Sequence, residues 1–391
     1  MEVMDRDFFY FDANASEPAR PAALDAMARA AAITGNPSSV HRAGRQARAI
    51  LESARERLAA LFGARADNCV LTSGGTEANL LAIAGLGGGR RILASAVEHD
   101  AVRAAVPAGA DLIPVDGQGV ARLEVLEQWL VEADGPPPLV CLMLANNEVG
   151  TIQPVAEAVR ICHAHGALLH VDAVQAAGRI PIDLGALGCR QQAVSGHKFG
   201  GVKGAGALLL AGEATRALPP MMAGGGQEHG RRGGTPALPA IAAMAEAAGD
   251  AVAALAGGGD GRADPTTLAR WRDAIDAAAR AAGAVVCGGD APRLPNTTSL
   301  ALPGRAAQIQ LIALDLAGFG VSAGSACSSG KVARSHVLQA MGHGSLAGEA
   351  IRVSLPWTVR EDDVTRFIAA WRAMAARLPA RARSERTEVH V

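Results

Sequence analysis

The chain has 391 residues, of which 49% are apolar, and its formal net charge is −1. This length allows two domains with a large buried core, and the near-zero charge gives no reason to expect direct nucleic-acid binding or attraction of acidic substrates. The six cysteines show no CxxC motif and no paired spacing, which predicts a reduced, cytoplasmic protein with no metal site of its own.

Two segments of the sequence bear on targeting and membrane insertion. The segment from Met1 to Glu17 carries five acidic residues and no apolar core, so we do not expect a signal peptide. The segment from Thr235 to Gly259 is rich in Ala and Gly and is interrupted by Glu246 and Asp250. We therefore expect no membrane span.

The first elements are an extended segment and a long helix. Residues 10–18, which include Asn14, are predicted to be extended and to end in a turn. A second turn leads to His41, and apolar residues at helical spacing then predict a helix from Arg42 to Phe62. His41 has two interpretations, a substrate contact or a cap of this helix.

A strand, a turn of small residues and a helix follow. The strand covers Cys69 to Thr72, the turn continues to Thr76, and the helix covers Glu77 to Gly85. This order aims backbone N–H groups at a phosphate, which makes Gly75 and Thr76 candidate phosphate ligands. No Lys follows the glycines, so the turn is not a nucleotide P-loop, and an ordinary βα turn is the alternative.

Three further apolar runs are predicted to be strands, each of which ends next to a polar residue. Arg91 to Ala94 leads to His99, Leu139 to Leu144 leads to Asn147, and Ala167 to Val171 leads to Asp172. A predicted helix from Val155 to His165 separates the last two strands. Alternating strands and helices predict a mostly parallel sheet that is covered on both faces.

Lys198 lies where the next buried strand ends, among small residues and before the apolar run from Gly204 to Leu210. A desolvated lysine can lose its proton near neutrality, as an amine that forms an imine must. Asp172, at a neighbouring strand end, could hold a protonated pyridine nitrogen. The alternative is a loop lysine and a strand-end aspartate that only cap helices.

The C-terminal part begins after a glycine-rich, basic loop from Gly224 to Thr235, for which a flexible surface loop is the alternative. Leu238 to Leu255 is predicted to be a helix, and the glycines after it mark the passage into a second domain. We therefore expect a large domain over residues 1–256, with an extreme N-terminus that could pack on the small domain, and a small domain over residues 262–391.

Two residues of the small domain are candidates for chemistry. Cys327 stands in a run of Ser, Ala and Gly, so it has little packing around it and can travel, although a small buried residue is the alternative. Arg352 is a candidate carboxylate ligand, because a guanidinium group fits a carboxylate with two hydrogen bonds.

Together these motifs resemble a known family. The segments 172–175, 195–198 and 321–330 are similar to those of the pyridoxal-phosphate class V aminotransferases, and more narrowly of the cysteine desulfurases of nitrogen fixation and iron–sulfur assembly. The resemblance runs from about Phe11 to Arg360. It implies a type I aminotransferase fold, with an α/β large domain and a smaller α+β C-terminal domain, that works as a homodimer.

The resemblance also implies roles for individual residues. Lys198 would bind pyridoxal 5'-phosphate covalently and, with His99, move protons, and Cys327 would be the nucleophile. Arg352 and Asn14 would bind the substrate. Thr235 would reach the phosphate of the neighbouring subunit. The cofactor-binding residues would be Gly75, Thr76, Asn147, Asp172, Gln175, Ser195, His197, Lys198 and Thr235.

The implied reaction converts L-cysteine to L-alanine and leaves the sulfur on Cys327 as a persulfide. A sulfur-acceptor or iron–sulfur scaffold protein would then take the sulfur, and Cys327 could transiently ligate an iron–sulfur cluster during transfer. A selenocysteine lyase or another class V aminotransferase is the alternative enzyme, and a degenerate scaffold subunit without activity is the non-enzyme alternative.

The chain departs from the family pattern at several positions. Glu17 stands where the family has a threonine, Val202 replaces a proline, and residues 381–391 lack the longer scaffold-docking tail of some relatives. The strand that leads to Lys198 begins with Arg190, Gln191 and Gln192, where the family usually has an aspartate and two apolar residues. Buried amides need hydrogen-bond partners, so we expect local packing to differ there.

Overall fold

The computed structural model describes residues 8–212, 218–257, 264–324 and 333–377. The helices are α1 Pro21–Ala31, α2 Arg42–Leu61, α3 Gly75–Gly87, α4 Asp100–Arg103, α5 Leu123–Val131, α6 Val155–Ala164, α7 Leu184–Leu187, α8 Leu238–Leu255, α9 Pro265–Ala281, α10 Ala307–Asp315, α11 His336–Ala340 and α12 Glu361–Arg377. The strands are β1 Phe9–Tyr10, β2 Cys69–Thr72, β3 Ile92–Ser95, β4 Asp111–Ile113, β5 Leu139–Cys141, β6 Leu168–Asp172, β7 Gln191–Ser195, β8 Gly206–Leu210, β9 Val285–Cys287, β10 Thr297–Ala301, β11 Phe319–Gly320 and β12 Ala350–Ser354.

The largest sheet has seven strands in the order β2-β8-β7-β6-β5-β3-β4. The neighbours from β7 to β4 pair in parallel, whereas β8 pairs antiparallel with both β7 and β2. This confirms the predicted mostly parallel sheet. Because the carboxyl ends of parallel strands share one edge, the residues after β3, β5, β6 and β7 are delivered to the same side of the sheet.

The strand β7 keeps its register despite the two glutamines. Gln191 pairs with His170 on one side and with Leu210 on the other, and Gln192 is fully buried. Both side-chain atoms of the Gln192 amide and Oε1 of Gln191 have no hydrogen-bond partner among the described residues. The expected partners for these amides are therefore not found among the described residues, while β7 pairs with β8 up to Ser195.

Helix α8 matches its predicted bounds and packs against α1 and α2. By length and composition alone, α8 is long and apolar enough to cross a membrane. Glu246 and Asp250, on which the expectation of no membrane span is based, therefore do not exclude one by composition. Half of the helix is buried in the protein, however, and nine of its residues belong to the core. This packing is typical of a core helix.

A second core lies around the antiparallel sheet β12-β10-β9 and helices α9, α10 and α12. Phe319 packs against Phe9, Phe11 and Phe367, with ring centroids 5.1 to 5.8 Å apart. Strand β1 pairs in parallel with β11, so the N-terminal segment joins this second core. The domain boundaries at residues 256 and 262 stay a prediction.

Candidate active site

Lys198 is held by the N-terminal segment. The chain leaves β7 through one turn of 3₁₀ helix, Gly196–Lys198, which places the half-buried lysine at the carboxyl edge of the sheet. Its Nζ donates hydrogen bonds to the backbone oxygens of Asn14, at 2.7 Å, and Ala15, at 3.0 Å. These bonds fix the direction of an amine that otherwise has a flexible four-carbon stem.

Asn14 connects four of the candidate residues. Its backbone oxygen accepts hydrogen bonds from Lys198 and from Nε2 of Gln175, the latter at 3.0 Å. Its side-chain Nδ2 donates to the backbone oxygen of Asn147 at 3.1 Å, and Nη1 of Arg352 donates to the same oxygen at 3.1 Å. Asn14 therefore bonds directly with Lys198, Gln175 and Asn147, and it is linked to Arg352 through the backbone oxygen of Asn147.

Asp172 ends β6 and is held by two donors. Nδ2 of Asn79 donates to its Oδ2 at 2.8 Å, and the backbone N–H of Val174 donates to its Oδ1 at 2.9 Å. Burial raises the pKa of Asp172, and these two hydrogen bonds together with His99 and Lys198 act in the opposite direction. A nearby cation, such as a protonated pyridine, would therefore stabilise the carboxylate form.

A histidine behind Asp172 completes this chain of hydrogen bonds. Because Asn79 uses its amide nitrogen on Asp172, its Oδ1 must accept from Nε2 of His170, which lies 2.8 Å away. Burial lowers the pKa of His170 to about 3, so the ring is neutral. Neither Asn79 nor His170 is among the site residues predicted from the sequence. The signal was available, since His170 and Asp172 are two positions apart and so share one face of β6.

His99 begins helix α4. Its Nδ1 accepts the backbone N–H of Ala101 at 3.1 Å, so in the neutral ring Nε2 carries the proton. The neighbouring Glu98 is fully buried, its Oε1 accepts the N–H of Met143 at 2.6 Å, and its Oε2 has no partner among the described residues. Burial, followed by the charge of Asp172, raises the pKa of Glu98 to about 8.

The turn between β2 and α3 lies against the ends of the neighbouring strands. A Cβ atom at Gly75 would lie 2.6 Å from Cγ2 of Val174 and 3.3 Å from Cβ of Ser195, so this approach requires glycine. Oγ of Ser195 lies 3.1 Å from Nδ1 of His197, whose pKa is lowered to about 4, mainly by burial and then by Lys198. Thr76 is exposed in the first turn of α3.

Arg352 already holds a carboxylate. Its Nη2 donates to Oδ1 of Asp12 at 2.5 Å, and the guanidinium group is buried. Its Nε has no partner among the described residues. The side chain can therefore bind a carboxylate, and Asp12 occupies part of its donor set.

Glu17, one of the departures from the family pattern, forms a buried ion pair. Its Oε2 lies 3.1 Å from Nη2 of Arg179, and its Oε1 accepts the backbone N–H of Trp357 at 2.7 Å. Arg179 in turn donates to the side-chain oxygen of Gln175. Burial raises the pKa of Glu17 and lowers that of Arg179. Glu17 thus supports Gln175 through Arg179.

Three candidates remain apart from this cluster. Thr235 is exposed and its side chain makes no hydrogen bond with the described residues. Cys327 lies outside the described residues, so the structure gives no position for it. Nδ1 of His41 accepts the N–H of Gly44 at 3.2 Å, so His41 caps α2. This is the capping interpretation of the two that the sequence left open.

The cluster fits pyridoxal phosphate. The N-terminus of the 13-residue helix α3 supplies unpaired N–H groups and a positive dipole end for a phosphate. Asp172 offers a buried carboxylate to the ring nitrogen, and Lys198 offers an oriented amine to the aldehyde carbon. These groups lie at the carboxyl edge of one sheet, where ligands of α/β proteins bind.

Comparisons with known proteins identify the family of the chain. The family model "Aminotransferase class-V" matches residues 9–367. A Mycobacterium tuberculosis "IscS-like cysteine desulfurase" is 39% identical over 374 residues, which cover 91% of this chain and 93% of that protein. The X-ray structure of a NifS-like protein from Rickettsia africae has a TM-score of 0.86 at 32% identity, covering 94% of this chain and 99% of that one. The structure "SspA in complex with cysteine" has a TM-score of 0.74 at 28% identity, covering 89% and 98%. With the family model matching most of its length, this chain belongs to the class V aminotransferases, which use pyridoxal phosphate.

Proposed function

We propose that the chain is a cysteine desulfurase, which converts L-cysteine to L-alanine and keeps the sulfur as a persulfide on Cys327. The observation that carries the proposal is that Lys198, Gln175 and Asn147 each hydrogen-bond with Asn14, while Arg352 donates to the same backbone oxygen of Asn147. It brings an amine and a carboxylate ligand to one place, as an amino-acid substrate requires. The names of the relatives, with one structure described as a complex with cysteine, support the choice of substrate.

Several residues would hold the cofactor, which supplies an electron sink when bound. Asp172 would accept a hydrogen bond from the protonated ring nitrogen. Asn147 and Gln175 would lie beside the ring hydroxyl, and His99 would cover the ring face. The phosphate would bind to Gly75, Thr76, Ser195 and His197, and to Thr235 of the neighbouring subunit in a homodimer.

Proton movements would depend on Lys198 and His99. Nζ of Lys198 is held in a defined position by the backbone oxygens of Asn14 and Ala15. His99 carries its free proton on Nε2, because Nδ1 is committed to the N–H of Ala101. A general acid and a general base could thus act from two elements of the same sheet edge.

The substrate carboxylate would bind Arg352. Because Asp12 holds Nη2 in the free protein, the substrate would compete with Asp12 for this nitrogen while Nη1 stays on Asn147. The backbone of Arg352 also pairs with Ser322, just before the segment that contains Cys327. Substrate binding and the start of that segment are therefore connected through one residue.

The sulfur step uses Cys327 as a thiolate. It attacks the sulfur of the substrate, an S–S bond forms as the Cβ–S bond breaks, and the electron pair returns to the substrate carbons. A proton at Cβ then completes alanine. A sulfur-acceptor or iron–sulfur scaffold protein would remove the outer sulfur. The five described cysteines are free and buried, which supports a reduced, cytoplasmic location.

The proposal is tested with Cys327→Ser, assayed for alanine formation from cysteine and from selenocysteine. We expect little alanine from cysteine, since a serine hydroxyl is barely ionised at neutral pH and attacks sulfur poorly. Selenocysteine should be affected less, because a selenolate is the more stable anion and leaves with less help. Visible absorption should show that the cofactor is still bound.

A control variant and two contradicting outcomes complete this test. Lys198→Ala should lose the absorption of the covalently bound cofactor together with all alanine formation, which separates the lysine from the cysteine. Wild-type alanine yield from cysteine in Cys327→Ser would contradict the nucleophile and favour a selenocysteine lyase or another lyase. An unchanged spectrum in Lys198→Ala would contradict the cofactor site itself.

A further inference from the structure

The loop from Gly224 to Thr235, named here the glycine-rich loop, has an unusual backbone. Glu228 and His229 have φ angles of 50° and 56°, and they are the non-glycine residues with positive φ among those described. Residues other than glycine are disfavoured in this left-handed region, because Cβ lies too close to the following carbonyl oxygen. Two consecutive ones persist only where surrounding contacts fix the conformation.

The carboxylate of Glu228 supplies the first of these contacts. Its two oxygens accept Nη1 and Nη2 of Arg55 at 2.5 and 2.8 Å, and Oε2 also accepts the backbone N–H of Leu71 at 2.8 Å. Both side chains of the ion pair are about 96% buried. Leu71 belongs to β2, the strand that leads directly into the phosphate turn of the same chain.

Two arginines attach the rest of the loop. Nη1 of Arg231 donates to the backbone oxygen of Asp67 at 2.8 Å, just before β2. Nε of Arg232 donates to Oε1 of Glu77 at 2.7 Å, and Oε2 of Glu77 accepts the N–H of Ser73 at 2.8 Å. The loop is thus fixed to the segment before β2 through Asp67 and to the first turn of α3 through Glu77.

The end of the loop is exposed. Gly233 closes the loop by donating its N–H to the backbone oxygen of Met222 at 2.7 Å, and a Cβ atom there would lie 2.4 Å from the backbone oxygen of Gly224. Thr235 follows two residues later and is exposed. A buried ion pair and a left-handed backbone thus occur in the same loop as the exposed Thr235.

We infer that Glu228 is a positioning residue for the cofactor phosphate of the neighbouring subunit. Its carboxylate holds the glycine-rich loop on Arg55 and Leu71, so that Thr235 is presented to the phosphate site of the neighbouring subunit. The phosphate turn of one subunit is thereby linked to the phosphate site of its neighbour. This inference rests on the proposed homodimer and on the role proposed for Thr235.

Heterodimers made from two differently tagged full-length chains test it. One subunit carries Lys198→Ala, so that borohydride traps pyridoxal phosphate only on Lys198 of the other subunit. Glu228→Gln is placed either in the Lys198→Ala subunit or in the Lys198 subunit. Trapped cofactor is measured against pyridoxal-phosphate concentration, and again with pyridoxal, which lacks the phosphate.

With Glu228→Gln in the Lys198→Ala subunit, we expect half-saturation by pyridoxal phosphate to rise about tenfold, the effect of losing one hydrogen bond to a charged group. The rise should be smaller when Glu228→Gln is in the Lys198 subunit. Half-saturation by pyridoxal should not move in either arrangement, which a general loss of structure would not produce. Equal shifts in both arrangements, or equal shifts with both probes, would overturn the inference.

Two further variants separate this inference from the proposed function. Thr235→Ala in the Lys198→Ala subunit should give the same shift as Glu228→Gln. A shift with Thr235→Ala but none with Glu228→Gln would overturn only the positioning role. No shift with Thr235→Ala would overturn the sharing of Thr235 between subunits.

A matched control variant and a second variant test whether an effect of Glu228→Gln arises from a folding defect. Glu246→Gln breaks the Arg57–Glu246 pair, which has a 2.7 Å contact but side chains 41% and 32% exposed, so we expect no shift. If Glu228→Gln does not give a dimer, the double variant Arg55→Met with Glu228→Met removes both buried charges. It should form a dimer with the same shift confined to pyridoxal phosphate, and a dimer with wild-type half-saturation would overturn the inference.

Discussion

Two buried ion pairs flank the candidate site, and they differ in how fully they are satisfied. Glu228 and Arg55 lie under the phosphate turn, and every N–H of the Arg55 guanidinium group has an acceptor among Glu228, Glu52 and the backbone oxygen of Cys69. Glu17 and Arg179 lie on the substrate side, and Nε of Arg179 has no acceptor among the described residues.

This difference determines whether burial or hydrogen bonding dominates the pKa values of each pair. Burial opposes ionisation of Arg55, but its bonds to Glu228 and Glu52 prevail and raise its pKa. For Glu17 and Arg179 burial prevails, so the pKa of the acid rises and that of the base falls. An ion pair in the interior is therefore only as favourable as its complete set of hydrogen bonds allows.

The largest effect is expected on the phosphate side. Arg55→Met would leave the buried carboxylate of Glu228 with the N–H of Leu71 alone, and such uncompensated charges reduce the free energy of unfolding by about 3–5 kcal/mol. Urea unfolding at a fixed protomer concentration measures this loss. Arg57→Met, in the same helix but half exposed, should lose far less, and similar losses in both would contradict the comparison.

A smaller effect is expected from Arg179→Met on the substrate side. Here Glu17 can take up a proton, since its pKa is already raised, so we expect a loss of about 1–3 kcal/mol in the free energy of unfolding. The variant also removes the partner of the Gln175 side-chain oxygen. A loss as large as that of Arg55→Met would show that the two pairs are equivalent.

The smallest effect, and one with a pH dependence, is expected from Glu17→Gln. Arg179 keeps oxygen acceptors from Gln175, Ala13 and the new amide, so the change near pH 5 should be about 1 kcal/mol or less. The pKa of Glu17 in the folded protein lies above its ordinary value. Glu17 therefore contributes its full stabilisation at pH values below that ordinary pKa. The contribution is lost as the pH rises through the folded pKa.

Unfolding measured for both proteins between pH 4.5 and 8 checks this sign. The wild type should lose stability relative to Glu17→Gln as the pH rises. A difference that stays constant over this range would show that Glu17 ionises as a solvent-exposed carboxyl does.

Local patterns were sufficient to predict many of the elements. The periodicity of residues 42–62 and 238–255 predicted α2 and α8 closely, and the order of strand, small turn and helix at residues 69–87 predicted the phosphate turn. Strand β5 is shorter than the predicted run to Leu144, because an apolar run shows burial but not where strand pairing ends. Lys198 and Asp172 were identified as a pair because both follow buried strands.

The elements, the position of Lys198 at a strand end and, through the motifs, the family can therefore be predicted from the amino-acid sequence. The groups that hold these residues become evident in the folded chain. Asp12 meets Arg352 from 340 positions away, Glu228 meets Leu71 from 157 positions away, and Asn14 joins Lys198 to Asn147. Helix and strand patterns arise from neighbours along the chain, whereas the partner of a buried charge is set by chain closure, which no local pattern encodes.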